Sequence, residues 1–464
     1  MKYFRWRARG RALLDGASEI DEPISAEIFS VERLEHHAES LAKAQEVWPA
    51  QTAGISLRRR LRSNAIGLDG AFHALTGAMA RGRPVTPAAD WLVDNYYIVD
   101  EHIRAVRHDL PPGFYKQLPK LSNGPLRGYP RVYGLAWAIV AHSDSRFELK
   151  TLPRFCHAYQ RIQPLTIGEL WAVAITLRVV LIENLSRLAA GMVYRLALRE
   201  KADALADKLL PNDAGQAAAN TAANSAASAA VMRGVEAQAL PNAFSAQLFK
   251  RLRDHDPETT PALAWLHRRF AGLGTTADDI VHGEHQRQGT VNLSVRNIIT
   301  SLRLISAVDW AKFFEGVSLV DELMRQRSAY AAFDFRTRDL YRHAIEDLAR
   351  RSGHTEMHVA QRALDAAERA AAQASSGGTR LPPHALEPGY FLVSAGRAEL
   401  ERELGYQVPW NQRLARGTRA AGLLGYGGGI ALSSAVLTGA LLRLAGAPGV
   451  NGIADAAIVL LALL

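Results

Sequence analysis

Long apolar runs at helical spacing constrain the fold of this chain more than any other feature. They are concentrated in residues 90–188, which are also rich in Trp, Tyr and Arg. From Thr166 to Tyr194, one such run predicts a single long helix. Its apolar core at 170–182 is shorter than the roughly 20 residues that a membrane span needs, and Arg178 lies inside it. We therefore predict a helix buried in a protein core, within an all-α fold.

The same spacing recurs along most of the chain. Ser30 is a favourable N-cap for the first helix. The residues after it that share one apolar stripe are Val31, Leu34, Ala38 and Leu41. Further helices are predicted over residues 56–81, 88–108, 131–141, 151–161, 243–254 and 295–308.

Shifts in composition divide the chain into regions. Residues 214–242 are Ala-rich and of low complexity, which predicts a linker or a variable helix. Residues 370–387 are rich in Ala, Ser and Gly and predict a second linker. The other predicted regions are an N-terminal helical region at 1–213, a second helical region at 243–369 and a juxtamembrane segment at 388–419.

The C-terminal part of the sequence changes character. Residues 420–442 carry no charge and are long enough to cross a bilayer, and a second apolar run occupies 453–464. Arginines are more frequent before the first run than after it, so the positive-inside rule places the N-terminal side in the cytoplasm. The basic N-terminus lacks the apolar segment of a signal peptide. We expect one complete and one partial transmembrane helix in a fragment of a longer protein. The alternative is a tail-anchored protein with a buried C-terminal hairpin.

Charge and cysteine content narrow the choice of partners. The net charge is +9, from 55 Lys and Arg against 46 Asp and Glu. This balance suits anionic lipid head groups or sugar nucleotides. Nucleic acid is a third option, but no recognition module occurs, so we expect no nucleic-acid partner. Cys156 is the only cysteine, which excludes an intrachain disulfide and a zinc site of several thiolates.

No motif marks a catalytic, cofactor-binding or metal-binding centre. His282 and His285 lack the spacing of H-E-x-x-H zinc sites. Asp254 and Asp256 form a literal Asp-x-Asp, a pattern that can hold a divalent cation against a diphosphate. They lie where a helix is predicted to end, with no strand ahead of them, so a solvated helix end is the favoured interpretation. We predict no catalytic residue, no cofactor site and no metal ligand in this segment.

Polar side chains embedded in the apolar helices are the remaining candidates. An unpaired buried charge is very costly, so each should find a partner on another element. We favour structural pairing over contact with a substrate. Tyr129, Tyr133 and Trp137 are likewise interpreted as core residues and not as a sugar-stacking platform. The candidates for structural pairing or for positioning an acceptor are Glu169, Arg178, Glu183, Arg131, His142, Arg296 and Arg303.

Several blocks keep many large side chains in a distinctive order. The longest occupies residues 90–188 and includes WLVDNYYIVDEHIRAV, YPRVYGLAWAIVAHSDSRF and IGELWAVAITLRVVLIENLSRLA. The others are EPISAEIFSVERLEHHAESLA at 22–42, VRNIITSLRLISAVDW at 295–310, FFEGVSLVDELM at 313–324, FDFRTRDLYRHAIEDLARRSG at 333–353 and PGYFLVSAGRAELERELGY at 388–406. In these blocks the chain resembles the N-terminal region of bacterial cyclic β-1,2-glucan synthases, which are very large inner-membrane glycosyltransferases. The stretch 214–240 shows no such likeness.

The resemblance implies a function for the intact protein. It implies transfer of glucose from UDP-glucose, with a divalent cation (Mg²⁺ or Mn²⁺), onto a protein-linked chain that is elongated and cyclised. The implied partners are the lipid bilayer, a downstream transferase domain of the same polypeptide and a glucan chain. The implied location is the bacterial inner membrane, with residues before about 419 in the cytoplasm. The family's acidic metal-binding motif would lie beyond Leu464, so no catalytic residue is carried over. The alternative is a non-enzymatic, membrane-anchored α-helical scaffold.

Overall fold

The computed structural model describes six stretches of the chain and a few further positions between 413 and 438. The stretches are 22–48, 54–109, 112–210, 240–253, 261–375 and 386–409. The chain divides into two compact units, Met1–Leu319 and Val320–Leu464. Most of the described residues are helical and the fold is nearly all-α, which confirms the predicted α class. The strands in these stretches are Val47–Trp48 (β1) and Lys120–Leu121 (β2), which pair antiparallel.

The helices of the first unit begin and end close to where apolar spacing predicts. Ser30 caps the first of them, because its side chain accepts a hydrogen bond from the backbone N–H of Arg33 at 3.3 Å. In chain order they are α1 (Val31–Ala44), α2 (Leu57–Ala80), α3 (Pro87–Asp94), α4 (Tyr96–Asp109), α5 (Pro112–Gln117), α6 (Arg131–His142), α7 (Thr151–Gln160), α8 (Ile167–Leu209), α9 (Asn242–Leu252), α10 (Pro261–Gly272), α11 (Ala277–Ala307) and α12 (Trp310–Val317).

Helix α8 organises the first unit. Thr166 and Glu169 start it with a capping box, in which each side chain accepts a hydrogen bond from the other residue's backbone N–H. Its N-terminal half is buried on almost all sides and packs against α2, α4 and α6. The predicted end at Tyr194 is too early, because the helix continues for 43 residues in total to Leu209.

The C-terminal half of α8 contributes to a further apolar cluster of the same unit. Leu198 and Ala202 of α8 pack there with Leu248 of α9 and Leu266 of α10. The helices on both sides of residues 211–239 therefore belong to one compact unit. This division differs from the predicted boundaries at 213 and 243, because composition marks a variable segment but does not reveal which helices pack together.

Two further helix boundaries differ from the prediction. The predicted helix 88–108 is broken at Asn95, whose side-chain amide donates to the carbonyl of Trp91 at 2.8 Å. The predicted helix 295–308 begins much earlier, at Ala277, where Thr276 and Asp279 form a second capping box. The first half of α11 is largely exposed, so it lacks the apolar stripe from which a helix is recognised.

The second unit is built from shorter helices. They are α13, which begins at the unit boundary (Leu319–Arg327), α14 (Phe335–Ser352), α15 (Glu356–Ser375), α16 (Pro388–Val393) and α17 (Arg397–Glu403). Arg342 and Asp321 form a buried ion pair between α14 and α13. Gly389 must be glycine for the close packing of α16 on α14, since a Cβ there would lie 1.9 Å from the hydroxyl of Tyr341.

Several predicted features lie wholly or largely outside the described residues. These are most of the linker at 214–242, residues 376–385 of the linker at 370–387, and nearly all of the predicted membrane segments 420–442 and 453–464. The first six positions of the linker at 370–387 belong instead to helix α15. In the part of the chain that the structure describes, no helix combines the length and apolarity required to span a bilayer.

Candidate functional site

Arg131 and Glu169 form a buried ion pair between α6 and the start of α8. Arg131 is 4% exposed and Glu169 is fully buried. The guanidinium donates to both carboxylate oxygens, and also to the side chain of Gln163 at 3.1 Å and the carbonyl of Pro164 at 3.0 Å. Burial alone would lower the pKa of Arg131, but the Glu169 carboxylate outweighs burial and raises it. The pair is satisfied within the protein, so it fixes the α6–α8 junction.

Glu183 is the centre of a second and larger polar network. It is 1% exposed and accepts hydrogen bonds from three elements. Arg60 of α2 binds both of its oxygens, the hydroxyl of Tyr133 donates at 2.8 Å, and Arg187 donates from one turn along α8 at 2.7 Å. Burial raises the pKa of Glu183, yet these hydrogen bonds and charges lower it below its usual range. The carboxylate is therefore ionised at neutral pH.

Aromatic rings surround this network and extend it towards the surface. Tyr129 and Tyr133 are stacked with centroids 4.7 Å apart, and the Arg60 guanidinium lies 5.7 Å from the Tyr129 ring. The Arg187 guanidinium lies 5.1 Å from the ring of Trp137, which is half-buried. The Arg60 side chain is 30% exposed. We call Arg60, Tyr129, Tyr133, Trp137, Glu183 and Arg187 the Glu183 cluster.

The Glu183 cluster combines structural pairing with an accessible face. The partly exposed guanidinium groups of Arg60 and Arg187 supply hydrogen-bond donors, and the half-buried indole ring of Trp137 supplies an apolar surface. Such a combination can bind a hydroxylated ligand such as a sugar. Sequence reasoning singled out Glu183, Tyr133 and Trp137 but missed Arg60 and Arg187, because nothing in periodicity links Arg60 to a carboxylate 123 residues away.

Arg178 and His142 lie apart from the Glu183 cluster. The Arg178 guanidinium is 3.6 Å from the Asp109 carboxylate, and its Nε has no hydrogen-bond partner within the described ranges. Burial lowers the pKa of Arg178. His142 stacks on Phe29 with centroids 4.0 Å apart and lies 4.6 Å from the His37 ring, with its Nδ1 2.8 Å from the carbonyl of Glu27.

Arg296 and Arg303 are not embedded, which corrects the interpretation of the 295–308 stretch. Both side chains are exposed on α11, because they lie at the edge of the buried stripe and not within it. The Arg296 guanidinium lies 5.4 Å from the Trp91 ring, and Arg303 donates to the side-chain oxygen of Asn95. These two residues contact α3 and the break that follows it, and they are separate from the α6–α8 pairs.

Asp144 lies in the loop between α6 and α7, and its contacts with another helix were not predicted. Asp144 and Ser145 adopt left-handed backbone conformations, with φ of 48° and 62°. The Asp144 carboxylate accepts hydrogen bonds from Ser294 at 2.5 Å and Asn297 at 3.1 Å, both on α11. Ser145 in turn accepts from Asn184 of α8 at 2.9 Å. The loop therefore links α6, α8 and α11. Its polar sequence HSDSRF, which interrupts the apolar run, was the feature from which a loop could be predicted here.

Comparison with known proteins shows what the chain is similar to. No protein-family model matches it. The cyclic beta-(1,2)-glucan synthase NdvB of Rhizobium meliloti (strain 1021) is 36% identical to it over 406 residues. The chain resembles part of a cyclic β-1,2-glucan synthase. This confirms the predicted resemblance, and the match covers 87% of the chain but only 14% of the synthase.

A divalent cation was predicted for the intact protein from the resemblance, and the described residues can be examined for ligands that would hold it. Within the described ranges, no group of three or more His, Cys, Asp or Glu side chains could hold a metal ion. The literal Asp-x-Asp at Asp254 and Asp256 lies outside those ranges. His282 and His285 are exposed on the first half of α11. The described donor set therefore does not fit the implied cation, and we derive no catalytic step through it.

Proposed function

We propose that this chain is the N-terminal, non-catalytic portion of a membrane-bound glycosyltransferase that makes cyclic β-1,2-glucan from UDP-glucose. The observation that carries this proposal is the 36% identity to the synthase over 87% of the chain. The chain spans about a seventh of that relative's length, since the match covers 14% of it. We also propose that the intact protein uses UDP-glucose as the sugar donor together with a divalent cation.

The local role of the chain in this proposal is to support the transferase and to contact the growing glucan. The Glu183 cluster is the candidate contact, because its arginines are partly exposed while their charges are held by a buried carboxylate. Guanidinium groups held in place in this way can donate to sugar hydroxyls without a large loss of side-chain entropy. The half-buried Trp137 ring can cover one face of a pyranose.

Membrane attachment completes the proposal. Residues 420–442 are uncharged and would cross the inner membrane, with the preceding helices on the cytoplasmic side. Single-cysteine labelling tests this in a variant whose natural Cys156 is replaced by Ser. A cysteine placed at exposed position Tyr97 should react with an impermeant maleimide only after the cells are opened. Labelling in intact cells would contradict the orientation.

A segment exchange tests the role in glucan synthesis. The matching segment of the Rhizobium meliloti synthase is replaced by this chain, and cyclic glucan is measured in cells that lack their own synthase. We expect the exchanged protein to make cyclic glucan and a synthase without the segment to make none. An exchanged protein that is membrane-bound and abundant but inactive would contradict the proposal.

The same experiment separates the alternative of a non-enzymatic scaffold. In the scaffold case, a synthase lacking the segment would retain its glucan output and only its abundance or assembly state would change. Substitution of Trp137→Ala in the exchanged protein addresses the glucan contact directly. We expect shorter or fewer glucan products at unchanged protein abundance, and an unchanged product profile would exclude the contact.

A further inference from the structure

Among the residues that the structure describes, a group of arginines on α8 and α11 makes none of the ion pairs that Arg131 and Arg187 make. Arg195 and Arg199 lie four residues apart on α8, so they share one face of the helix. Both are half-buried. Among the described residues, neither guanidinium makes a hydrogen bond or an ion pair within 4.0 Å. The Nε of Arg199 is buried and has no hydrogen-bond partner among the described residues.

The surroundings of these arginines carry an excess of positive charge. Arg287 of α11 is exposed, and its charge acts on Arg195. Glu284, 6% exposed and one turn earlier on α11, is the acid whose charge acts on both Arg195 and Arg199. Its carboxylate accepts a hydrogen bond from Gln288 at 3.1 Å. Asp203 also acts on the charge of Arg199, but it is shared with Arg251. Three guanidinium groups against Glu284 and one shared acid leave a surplus of positive charge at this place.

Other acids near α8 do not remove this surplus. Asp203 lies one turn beyond Arg199, but it accepts a hydrogen bond from Gln247 at 2.7 Å and lies 3.8 Å from Arg251. Glu200 is 3.9 Å from Arg81 on α2. The Arg195 guanidinium lies against the backbone at Gly191, where a Cβ would come within 3.3 Å of its Nη2. Arg195 is thus held along the helix and does not extend into solvent.

The electrostatic state of the two arginines agrees with this arrangement. Burial is the largest cause that lowers the pKa of Arg195 and of Arg199, and for Arg195 the charges of Arg287 and Arg199 lower it further. Half-buried cations that repel each other are costly unless an anion is bound between them. A phosphate group would offset the surplus of positive charge and accept the guanidinium N–H groups in pairs.

We propose that Arg195, Arg199 and Arg287 form a binding site for a phosphate-bearing ligand on the face where α8 packs against α11. The ligand is either a soluble phosphate or diphosphate compound or the head group of an anionic phospholipid. The site does not overlap the Glu183 cluster, and it stands or falls independently of the proposed role in glucan synthesis.

Binding measurements on the full chain test the site. Calorimetric titration with sodium pyrophosphate at constant ionic strength probes soluble ligands. Co-sedimentation with phosphatidylglycerol vesicles, compared with pure phosphatidylcholine vesicles, probes lipid head groups. The test variant is Arg195→Gln with Arg199→Gln, and the matched control is Arg62→Gln, which removes an exposed arginine of α2.

The expected result is a loss of affinity of about tenfold or more in the test variant, with the control unchanged. A loss in the pyrophosphate titration alone identifies a soluble ligand, and a loss with vesicles alone identifies a lipid. Binding of neither probe, or equal binding by the test variant and the control, overturns the proposal.

Thermal melting provides a readout that a purely structural role would not give. Because the test variant removes repelling, desolvated cations, its melting temperature without ligand should equal or exceed that of the unaltered chain. Pyrophosphate should raise the melting temperature of the unaltered chain only. If the test variant fails to fold, or if pyrophosphate does not shift the unaltered chain at matched ionic strength, the proposal is overturned.

Discussion

The two halves of α8 differ in whether their buried charged side chains have partners. In the N-terminal half, Glu183 is fully engaged by Arg60, Tyr133 and Arg187. In the C-terminal half, Arg195 and Arg199 are half-buried and make no ion pair with any residue that the structure describes. The first arrangement holds helices together. In the second, the guanidinium N–H groups of Arg195 and Arg199 have no acceptor among the described residues. Burial of a charge therefore indicates a function only when the partners are also known.

The largest effect that tests this comparison is expected at Glu183. Substitution of Glu183→Gln removes the only charge that compensates Arg60 and Arg187 inside the cluster. We expect a loss of about 3–5 kcal/mol in the free energy of unfolding, as is typical for breaking one side of a buried ion pair. Urea denaturation measures it. Glu200→Gln is the matched control on the same helix, since Glu200 is 38% exposed, and it should change stability by less than about 0.5 kcal/mol.

The apolar cluster around the C-terminal half of α8 should be nearly as sensitive. Leu248 of α9 is fully buried against Leu198 and Ala202. Substitution of Leu248→Ala should lower the free energy of unfolding by about 2–5 kcal/mol, through lost burial and an unfilled cavity. Urea denaturation again provides the measurement. A change below about 0.5 kcal/mol would show that α9 does not depend on α8 for its stability.

The same substitution at two arginines tests whether a guanidinium hydrogen-bonded to a buried carboxylate contributes more to stability than one that is less well paired. Arg60→Met leaves the buried carboxylate of Glu183 without its bidentate partner, so it should destabilise the protein by about 3 kcal/mol. Arg178→Met removes a desolvated cation whose Nε has no partner within the described ranges. It should change the free energy of unfolding by less than about 1 kcal/mol, or stabilise the protein. Equal losses in the two variants would contradict the distinction.

The smallest expected effect concerns pH. Burial is the main cause that lowers the pKa of His37 below its usual value, and the neighbouring His142 lowers it further. A depressed pKa in the folded state means that stability is fully present above the unfolded value, about 6.5, and is lost as the pH falls through the folded value. Melting temperatures between about pH 7.5 and about pH 5 should therefore fall less in His37→Gln than in the unaltered chain. Parallel curves would contradict this assignment.

The sequence predicted helices well where one face is buried and one is not. Apolar spacing located α1 and α2 to within a few residues, because each carries a stripe such as Leu57, Leu61 and Leu68 of α2. Helix α6 was located instead by its continuous apolar run, and it is buried on almost every side. It failed at Asn95, where a side-chain hydrogen bond to the backbone interrupts an otherwise continuous stripe. It also failed for the first half of α11, whose exposed residues carry no apolar pattern.

The candidate site was less predictable than the fold. The sequence indicated that Glu169 and Glu183 needed partners, because charges inside apolar helices are costly. It could not indicate that the partners were Arg131 and Arg60, since pairing across helices depends on how they pack. It also placed Arg296 and Arg303 among the buried charges, because helical spacing gives the period of a stripe but not its exact width.

The length of α8 has a mechanical consequence for the first unit. At 43 residues, the helix is about 64 Å from end to end. Its N-terminal half is buried on almost all sides and its C-terminal half packs one face into a further apolar cluster of the same unit, so we expect the helix to couple the two regions mechanically. We expect a displacement of one end of α8 to be transmitted to its other end.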